Sequence, residues 1–284
     1  MRPAAGVRGT LGGKIPEGII TPIMRLLVTN DDGVHSPGIL ALKTALDAVA
    51  DVTVVAPERP RSATGHAITL HKPLRLHRSR MADGQPAWST NGTPADCVTL
   101  GLLEVMGGTA DLVVSGINHG PNLGWDIHYS GTVSAAFEAV MIGVPSIAVS
   151  VTSWADEIRW EALAKLTADL AIWLQDHPLP PRTLLNVNAP NVPTEKLNGV
   201  EITRLGSRQY VDRLYKRTDP AGRAYFWLGG KLLDDRAEPG TDVRAVADGK
   251  VSITPLQLDL TAENARADLR ALQTLLDGGF KSQS

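Results

Sequence analysis

The sequence predicts an α/β fold, a doubly wound domain on a mostly parallel sheet, and three observations predict it. Short, apolar, β-branched runs recur from Arg25 to Asn188, each bounded by turn residues, as strands buried on both faces do. Helical stretches separate them, so consecutive runs form βαβ units with parallel pairing and right-handed crossovers. Their polar, glycine-containing ends therefore gather at one edge, the crevice where open α/β sheets bind ligands.

The first run, Arg25 to Thr29, stops at Asn30 and is followed by Asp31, Asp32 and Gly33; a helix opens at Ser36-Pro37 and continues through Leu46. Two carboxylates at a strand end need a cation to offset them. Adjacent strand side chains point to opposite faces, so both aspartates can face one ion only if the chain has left the pleat, and Gly33 permits that turn. Hard carboxylate oxygens, with no cysteine nearby and His35 the only local histidine, suit magnesium, manganese or calcium better than zinc. The same four residues, Asn30 to Gly33, equally spell a simple polar turn.

Composition sets the bounds. The chain has 284 residues, enough for one large domain or two smaller ones, and its 28 basic and 30 acidic residues leave it nearly neutral. That balance gives no reason to expect a nucleic-acid polymer or an anionic membrane as partner. Cys97 is the single cysteine, which excludes an intrachain disulfide framework and a Cys-rich zinc site and fits a reducing, cytoplasmic setting. No run of about 18 apolar residues occurs, so no membrane-spanning helix is expected. Residues 1–23 lack the apolar core of a signal peptide and read as a flexible extension, with the fold beginning near Met24.

The second strand, Val52 to Ala56, opens at the same edge into Pro57 to His66, where Arg59 and Arg61 offer charge for an anion and Ser62 a hydroxyl oxygen for a metal; a solvated basic loop is the plainer reading. From Ala67 to Thr90 the alternating pieces AITLHKPLRLHR and PAWST predict antiparallel strands at the sheet margin. His66, His71 and His77 fall there without metal-ligand spacing. Thr93, Pro94 and Asp96 form a capped helix start that predicts a helix through Val105.

Asp111 to Ser115 is the next strand, and its loop, SGINHGPNLGWDIHYSG, holds most of the remaining polar candidates. Gly116, Gly120 and Gly124 recur every four residues, which does not match the dinucleotide fingerprint. Asn118, read as three residues past the strand end, can offer an amide oxygen, and Asn122 and Asp126 are further candidates or turn caps. Ser130, Gly131 and Thr132 lead into an apolar helix, Val133 to Ile142, whose N-terminus can receive a phosphate or be capped by its own hydroxyls. Pro145 to Ser150 and Thr183 to Asn188 continue the strand series, with a helix from about Ala155 to Leu174 between them carrying a packing stripe of Trp160, Leu163, Leu166, Leu170 and Trp173. The core is expected to span residues 24–193. Residues 194–284, with GVEITRLG, RAYFWLGG, KVSITPL and an amphipathic helix from Thr261 to Leu276 (Leu269, Leu272, Leu275 and Leu276 on one side), have little core of their own and are expected to mediate a homo-oligomer.

Together VTNDDG, PERPRS, NGTPADCV, SGINHGPNLG, YSGTVSAA, NVNAP, DPAGRAYFWLGG and VSITPLQLDLT resemble the SurE (stationary-phase survival protein) family of metal-dependent nucleotidases, from about Met24 to Thr261. The resemblance implies a Rossmann-like α/β/α core, exchange of C-terminal elements to form dimers or tetramers, and removal of phosphate from nucleoside 5′- and 3′-monophosphates. It implies one divalent metal ion per subunit (Mg²⁺, Mn²⁺ or a Ca²⁺-like hard cation) on Asp31, Asp32, Ser62 and Asn118, and phosphate contacts from Asn122, Ser130, Gly131 and Thr132. It departs in two places: Ala63 stands where many members have glycine, and the N-terminal extension has no counterpart. On this reading Asp31 and Asp32 are catalytic, with an aspartate not fully used in ligation taking the proton from water and Asp31 as a covalent nucleophile the rival. A haloacid-dehalogenase-type phosphatase fits less well, because Gly33 occupies the place of its second acid. A non-catalytic nucleotide or metal sensor on the same fold is the alternative.

Overall fold

The computed structural model describes residues 23–208, 210–232, 238–270, 272–273 and 276–277. Its strands are β1 (Arg25–Thr29), β2 (Asp51–Pro57), β3 (Leu76–Arg80), β4 (Pro86–Thr90), β5 (Leu112–His119), β6 (Ser146–Val151), β7 (Thr183–Ala189), β8 (Val200–Ile202), β9 (Tyr210–Thr218), β10 (Ala224–Leu232) and β11 (Val251–Gln257). Its helices are α1 (Pro37–Leu46), α2 (Pro94–Leu100), α3 (Gly131–Ile142), α4 (Glu161–Asp176), α5 (Asp242–Ala247) and α6 (Glu263–Asp268). Nine strands form one sheet in the order β3-β4-β2-β1-β5-β6-β7-β11-β8, and β9 and β10 form a separate antiparallel ribbon. From β4 to β7 every pairing is parallel; β3 and β11 run antiparallel to β4 and β7.

The strand pleat explains the layers. Leu26 and Val28 of β1 point into a core with Ile39, Leu42 and Leu46 of α1 and Leu163 of α4, while Leu27 points the other way into a core with Cys97 and Val98 of α2 and Ala135 and Ala139 of α3. A strand buried on both faces can afford no polar alternation, which is why these runs read as continuous apolar stretches. Capping follows the sequence: Ser36 accepts the Ile39 N–H at the start of α1, and Thr93 and Asp96 form a reciprocal capping box on α2. No described helix is long and apolar enough to cross a membrane.

Several expectations change. Of AITLHKPLRLHR only Leu76 onward becomes strand, Pro73 breaking the piece before it; the antiparallel pair expected at the sheet margin forms as β3–β4, and β4 also joins β2 in parallel. The helix after Thr93 does not stay α-helical to Val105 but turns π-helical from Gly101, where an added Cβ would stand 2.7 Å from Leu27. The helix expected from Ala155 begins only at Glu161, and its buried face is Leu163, Ala164, Thr167, Ala168, Ala171 and Leu174. Trp173 lies outside that face, stacked on His177 with ring centroids 4.4 Å apart. Strand β5 continues past Ser115 to His119, so Asn118 lies within it. GVEITRLG and KVSITPL supply β8 and β11, which extend the main sheet, and α5 forms in a stretch read as polar loop. The terminal helix is described as α6, with Leu269, Leu272 and Leu276 exposed; Leu275 lies outside the described residues.

Helix α1 meets β5 backbone to backbone at Gly38, where a Cβ would fall 2.1 Å from the Ile117 carbonyl oxygen. Gly38→Ala is expected to lower stability by about 1–3 kcal/mol, the usual cost of overpacking. A urea midpoint that stays at the wild-type value would contradict this docking.

Candidate active site

Strand β1 lies between β2 and β5, so the strand order reverses at the β1/β5 pair and opens a crevice at the strand ends. Asp31 and Asp32 leave β1 there, and Asn30 shapes their turn. The Asn30 amide nitrogen donates to the Gly33 carbonyl (3.0 Å) and to Ser36 Oγ (2.7 Å), and its amide oxygen accepts the Gly33 N–H (3.1 Å). Gly33 has φ +95°, and a Cβ there would approach the Pro57 carbonyl oxygen to 3.3 Å. The chain has therefore left the pleat, as two adjacent aspartates facing one point require.

The carboxylates are anchored by different elements. Asp31, 6% exposed, accepts the Thr132 hydroxyl at 2.7 Å and is supported by the Thr132 backbone N–H. Gly131 allows that approach, since a Cβ would stand 2.9 Å from the Cβ of Asp31. Asp32 accepts the His119 backbone N–H at 3.1 Å. Burial pushes the Asp31 carboxyl up to about 6; the Thr132 hydroxyl works against that rise and the charge of Asp32 adds to it. Burial also raises Asp32, against the His119 N–H. Among the described residues no lysine or arginine forms an ion pair with either.

Asn118 reaches this edge through a bulge. The β5–β6 register passes from Ser115↔Ala148 to Asn118↔Ser150, so β5 carries one extra residue around the cis Gly116–Ile117 peptide, and the side-chain alternation shifts beyond it. A Cβ at Gly116 would stand 2.5 Å from the Val149 carbonyl oxygen. The Asn118 amide nitrogen donates to the Gly120 carbonyl at 2.9 Å, and among the described residues nothing donates to its amide oxygen. Ser62 is exposed on the loop after β2, which is tied to the site because Arg61 N–H donates to the Asp31 carbonyl at 2.8 Å. Ala63 has φ +54°, the left-handed region that favours glycine.

The other candidates lie at or beside the α3 start. Ser130 is the N-cap, its Oγ accepting the Val133 N–H at 3.1 Å, and Gly131 and Thr132 form the first turn. Asn122 is buried: its amide nitrogen donates to Ser150 Oγ at 2.7 Å, its N–H to Asn188 Oδ1, and its carbonyl accepts from both Asn186 and Asn188. Asp126 pairs with Arg208 at 2.6 Å, and His66 pairs with Glu138 at 2.9 Å.

Residues 26–212 match the family described as Survival protein SurE. A protein of Heliobacterium modesticaldum named 5′-nucleotidase SurE is 52% identical over 239 residues, covering 84% of this chain and 88% of that protein. One of Geobacter metallireducens with the same name is 50% identical over 238 residues, 84% of this chain and 93% of that protein. The crystal structure of the SurE protein from Aquifex aeolicus superposes with a TM-score of 0.77 at 42% identity, covering 88% of this chain and 99% of that one. The chain belongs to the SurE family.

Residues not named as ligands or contacts from the sequence also build this SurE-family site. Asn30 carries a legible signal, since Asn followed three residues later by Gly spells a side-chain-closed turn. Asn186 and Asn188 were also legible, as two amides on one face of an otherwise apolar strand. Asp242 was not. Fully buried, it accepts the N–H groups of Gly124 and Gly206, both at 2.7 Å, and so ties the loop before α3 to the chain after β8.

The unpaired charge of the Asp31–Asp32 couple sets the sign of one substitution. In EDTA near pH 7, Asp32→Asn keeps an acceptor for the His119 N–H while removing the repulsion, so it should raise stability by about 1 kcal/mol, a melting shift of roughly 2–4 °C. A lower melting temperature would mean that the couple is already neutralised within the protein.

Proposed function

We propose that the chain is a metal-dependent 5′-nucleotidase that hydrolyses nucleoside 5′-monophosphates, and 3′-monophosphates as well, to nucleoside and phosphate. The observation that carries this reading is the contact between Thr132 and Asp31, which sets the first turn of α3 directly against the carboxylate pair. The names of the relatives support the same activity.

The donor set fits a hard divalent cation. Among the described residues there is no cluster of three or more His, Cys, Asp or Glu suited to a metal, so a cation here relies on carboxylates with neutral oxygens. We assign one Mg²⁺, Mn²⁺ or Ca²⁺-like ion per subunit to Asp31, Asp32, Ser62 and Asn118. When bound, it supplies charge neutralisation, Lewis acidity at a phosphoryl oxygen and a more acidic water. Asn118, its amide nitrogen committed to Gly120, has its amide oxygen left to offer to this set. The Ser130 hydroxyl and the Gly131 N–H hold the phosphoryl oxygens, with the α3 dipole favouring the charge that develops in transfer. Thr132 orients Asp31 as well as lining the first turn. Asn122 fixes the loop through Ser150 and the β7 asparagines, and one amide hydrogen remains for phosphate. Asp32, less buried than the pinned Asp31, takes the proton of the attacking water as the water oxygen bonds to phosphorus; the bond from phosphorus to the ester oxygen breaks, and that oxygen takes up a proton returned by Asp32 and leaves as the nucleoside hydroxyl. A phosphorylated aspartate trapped with substrate would overturn water attack.

We infer a homodimer or homotetramer built by exchange of elements from residues 194–284, with residues 24–193 as the catalytic core. The β9–β10 ribbon supports it, exposing Leu214, Tyr215, Phe226, Trp227 and Leu228 on both of its faces, as do the exposed leucines after α6. A cytoplasmic setting accords with the lone Cys97, buried and reduced.

Inorganic phosphate release from nucleoside 5′- and 3′-monophosphates, with Mn²⁺, Mg²⁺ or EDTA, tests the activity. Release is expected only with metal and should fall at least about 100-fold in Asp32→Ala, as loss of a charge-stabilising group does. Folded wild-type protein that binds nucleotide without releasing phosphate under any metal would point to a sensor.

A further inference from the structure

A cavity of about 460 Å³ opens beside Asp32 on the sheet face covered by α1 and α4, opposite the face where Thr132 of α3 meets Asp31. Larger cavities of about 830 and 650 Å³ contain none of Asp31, Asp32, Ser62 or Asn118. Building on the nucleotidase reading, we propose that this cavity receives the nucleoside of the substrate, with the base against Trp160 and Ile158 and its hydroxyl and amino groups donating to Glu58 and Asp156. Position is the first support. A phosphoryl group between the carboxylate pair and α3 must release its ester oxygen into a neighbouring space, and Asp32 is shared by the pair and the cavity. The volume lies in the usual range for small-molecule sites.

Lining chemistry is the second support. Trp160 offers the aromatic surface on which bases stack. It is set in place by the His119 ring, at 6.3 Å and nearly perpendicular, and by Gly38, whose missing side chain leaves room for it: a Cβ would stand 3.1 Å from Cζ3. Glu58 and Asp156, both exposed at the rim, accept hydrogen bonds and offer no donor when ionised. With Asp32 assigned to the cation, Glu58 and Asp156 are the acidic groups of the lining, beside His35 and His119, and they disfavour a leaving group bearing further phosphates and suit a neutral one rich in N–H and O–H groups. A nucleoside meets both conditions.

The test compares kcat/KM for AMP and GMP with that for p-nitrophenyl phosphate, whose leaving group has neither ribose nor amines. Trp160→Leu and the double variant Glu58→Gln/Asp156→Asn should each lose about tenfold or more on the nucleotides. Their p-nitrophenyl phosphate values should stay within about twofold of wild type. Calorimetry of adenosine and guanosine with the EDTA-treated protein should show weaker binding by both variants. Equal losses on both substrate types, or nucleoside binding unchanged in both variants, would overturn the proposal. If Trp160→Leu fails to fold, the exposed double variant decides. Wild-type protein that binds nucleosides in EDTA through these residues but hydrolyses no nucleotide would keep the cavity assignment and overturn the nucleotidase reading instead.

Discussion

Two adjacent carboxylates placed at the reversal point of a parallel sheet, with no cationic side chain paired to them among the described residues, are the constraint on which this site depends. Burial raises the cost of both charges, and their proximity adds to it for Asp31. Uncompensated buried charge is expensive, so each carboxylate is met by fixed donors: the Thr132 hydroxyl and N–H for Asp31, the His119 N–H for Asp32. Those donors soften the cost without cancelling the charge. The remaining negative potential is what the proposed divalent cation would offset, and through that cation the site would hold a phosphate ester.

Three backbone devices make the geometry possible, and each removes a side chain or bends a strand. Gly33 lets the aspartates leave the pleat, the extra residue in β5 re-aims Asn118, and Gly131 lets α3 start against Asp31. The C-terminal part of the chain is joined to the same region. Asp242 holds Gly124 and Gly206 together, and Arg208 pairs with Asp126, so the loop that leads to Ser130 is braced by residues more than eighty positions away. In this fold the segment after β7 completes the sheet with β11 and β8 as well as bearing the outlying ribbon.

Most of the parallel core was legible because buried strands and their helices carry strong local patterns: apolar runs, Ser36 and Thr93 caps, and the Pro37 and Pro94 starts. The acidic turn was legible as a turn at a buried strand end, where Asn30 to Gly33 fit a polar turn as well as a cation site, and only the family resemblance favoured the second. Less local features were not. The bulge at Gly116–Ile117 depends on the β6 register, so Asn118 read as a loop residue when it lies in β5. The stretch before α4 is held outside the helix by Asn191, which accepts the Arg159 N–H and donates to the Glu157 carbonyl, a tertiary effect that helical periodicity cannot carry. Thr132 read as a phosphate ligand or cap, while its bond to Asp31 spans 101 residues and has no sequence signature. Asp242 is the extreme case: an acid in a stretch read as polar loop, yet wholly buried.

The central claim is that Asp31 and Asp32 share one hard cation beside an oxyanion held at the start of α3. Crystals grown with Mn²⁺ and phosphate, with data collected at the manganese edge, test it most directly. The account predicts one anomalous peak per chain about 2 Å from an oxygen of each aspartate, with phosphate bridging it to Ser130 and Gly131. Anomalous density absent from this crevice at saturating Mn²⁺, or phosphate bound elsewhere with the two carboxylates left unligated, would contradict it.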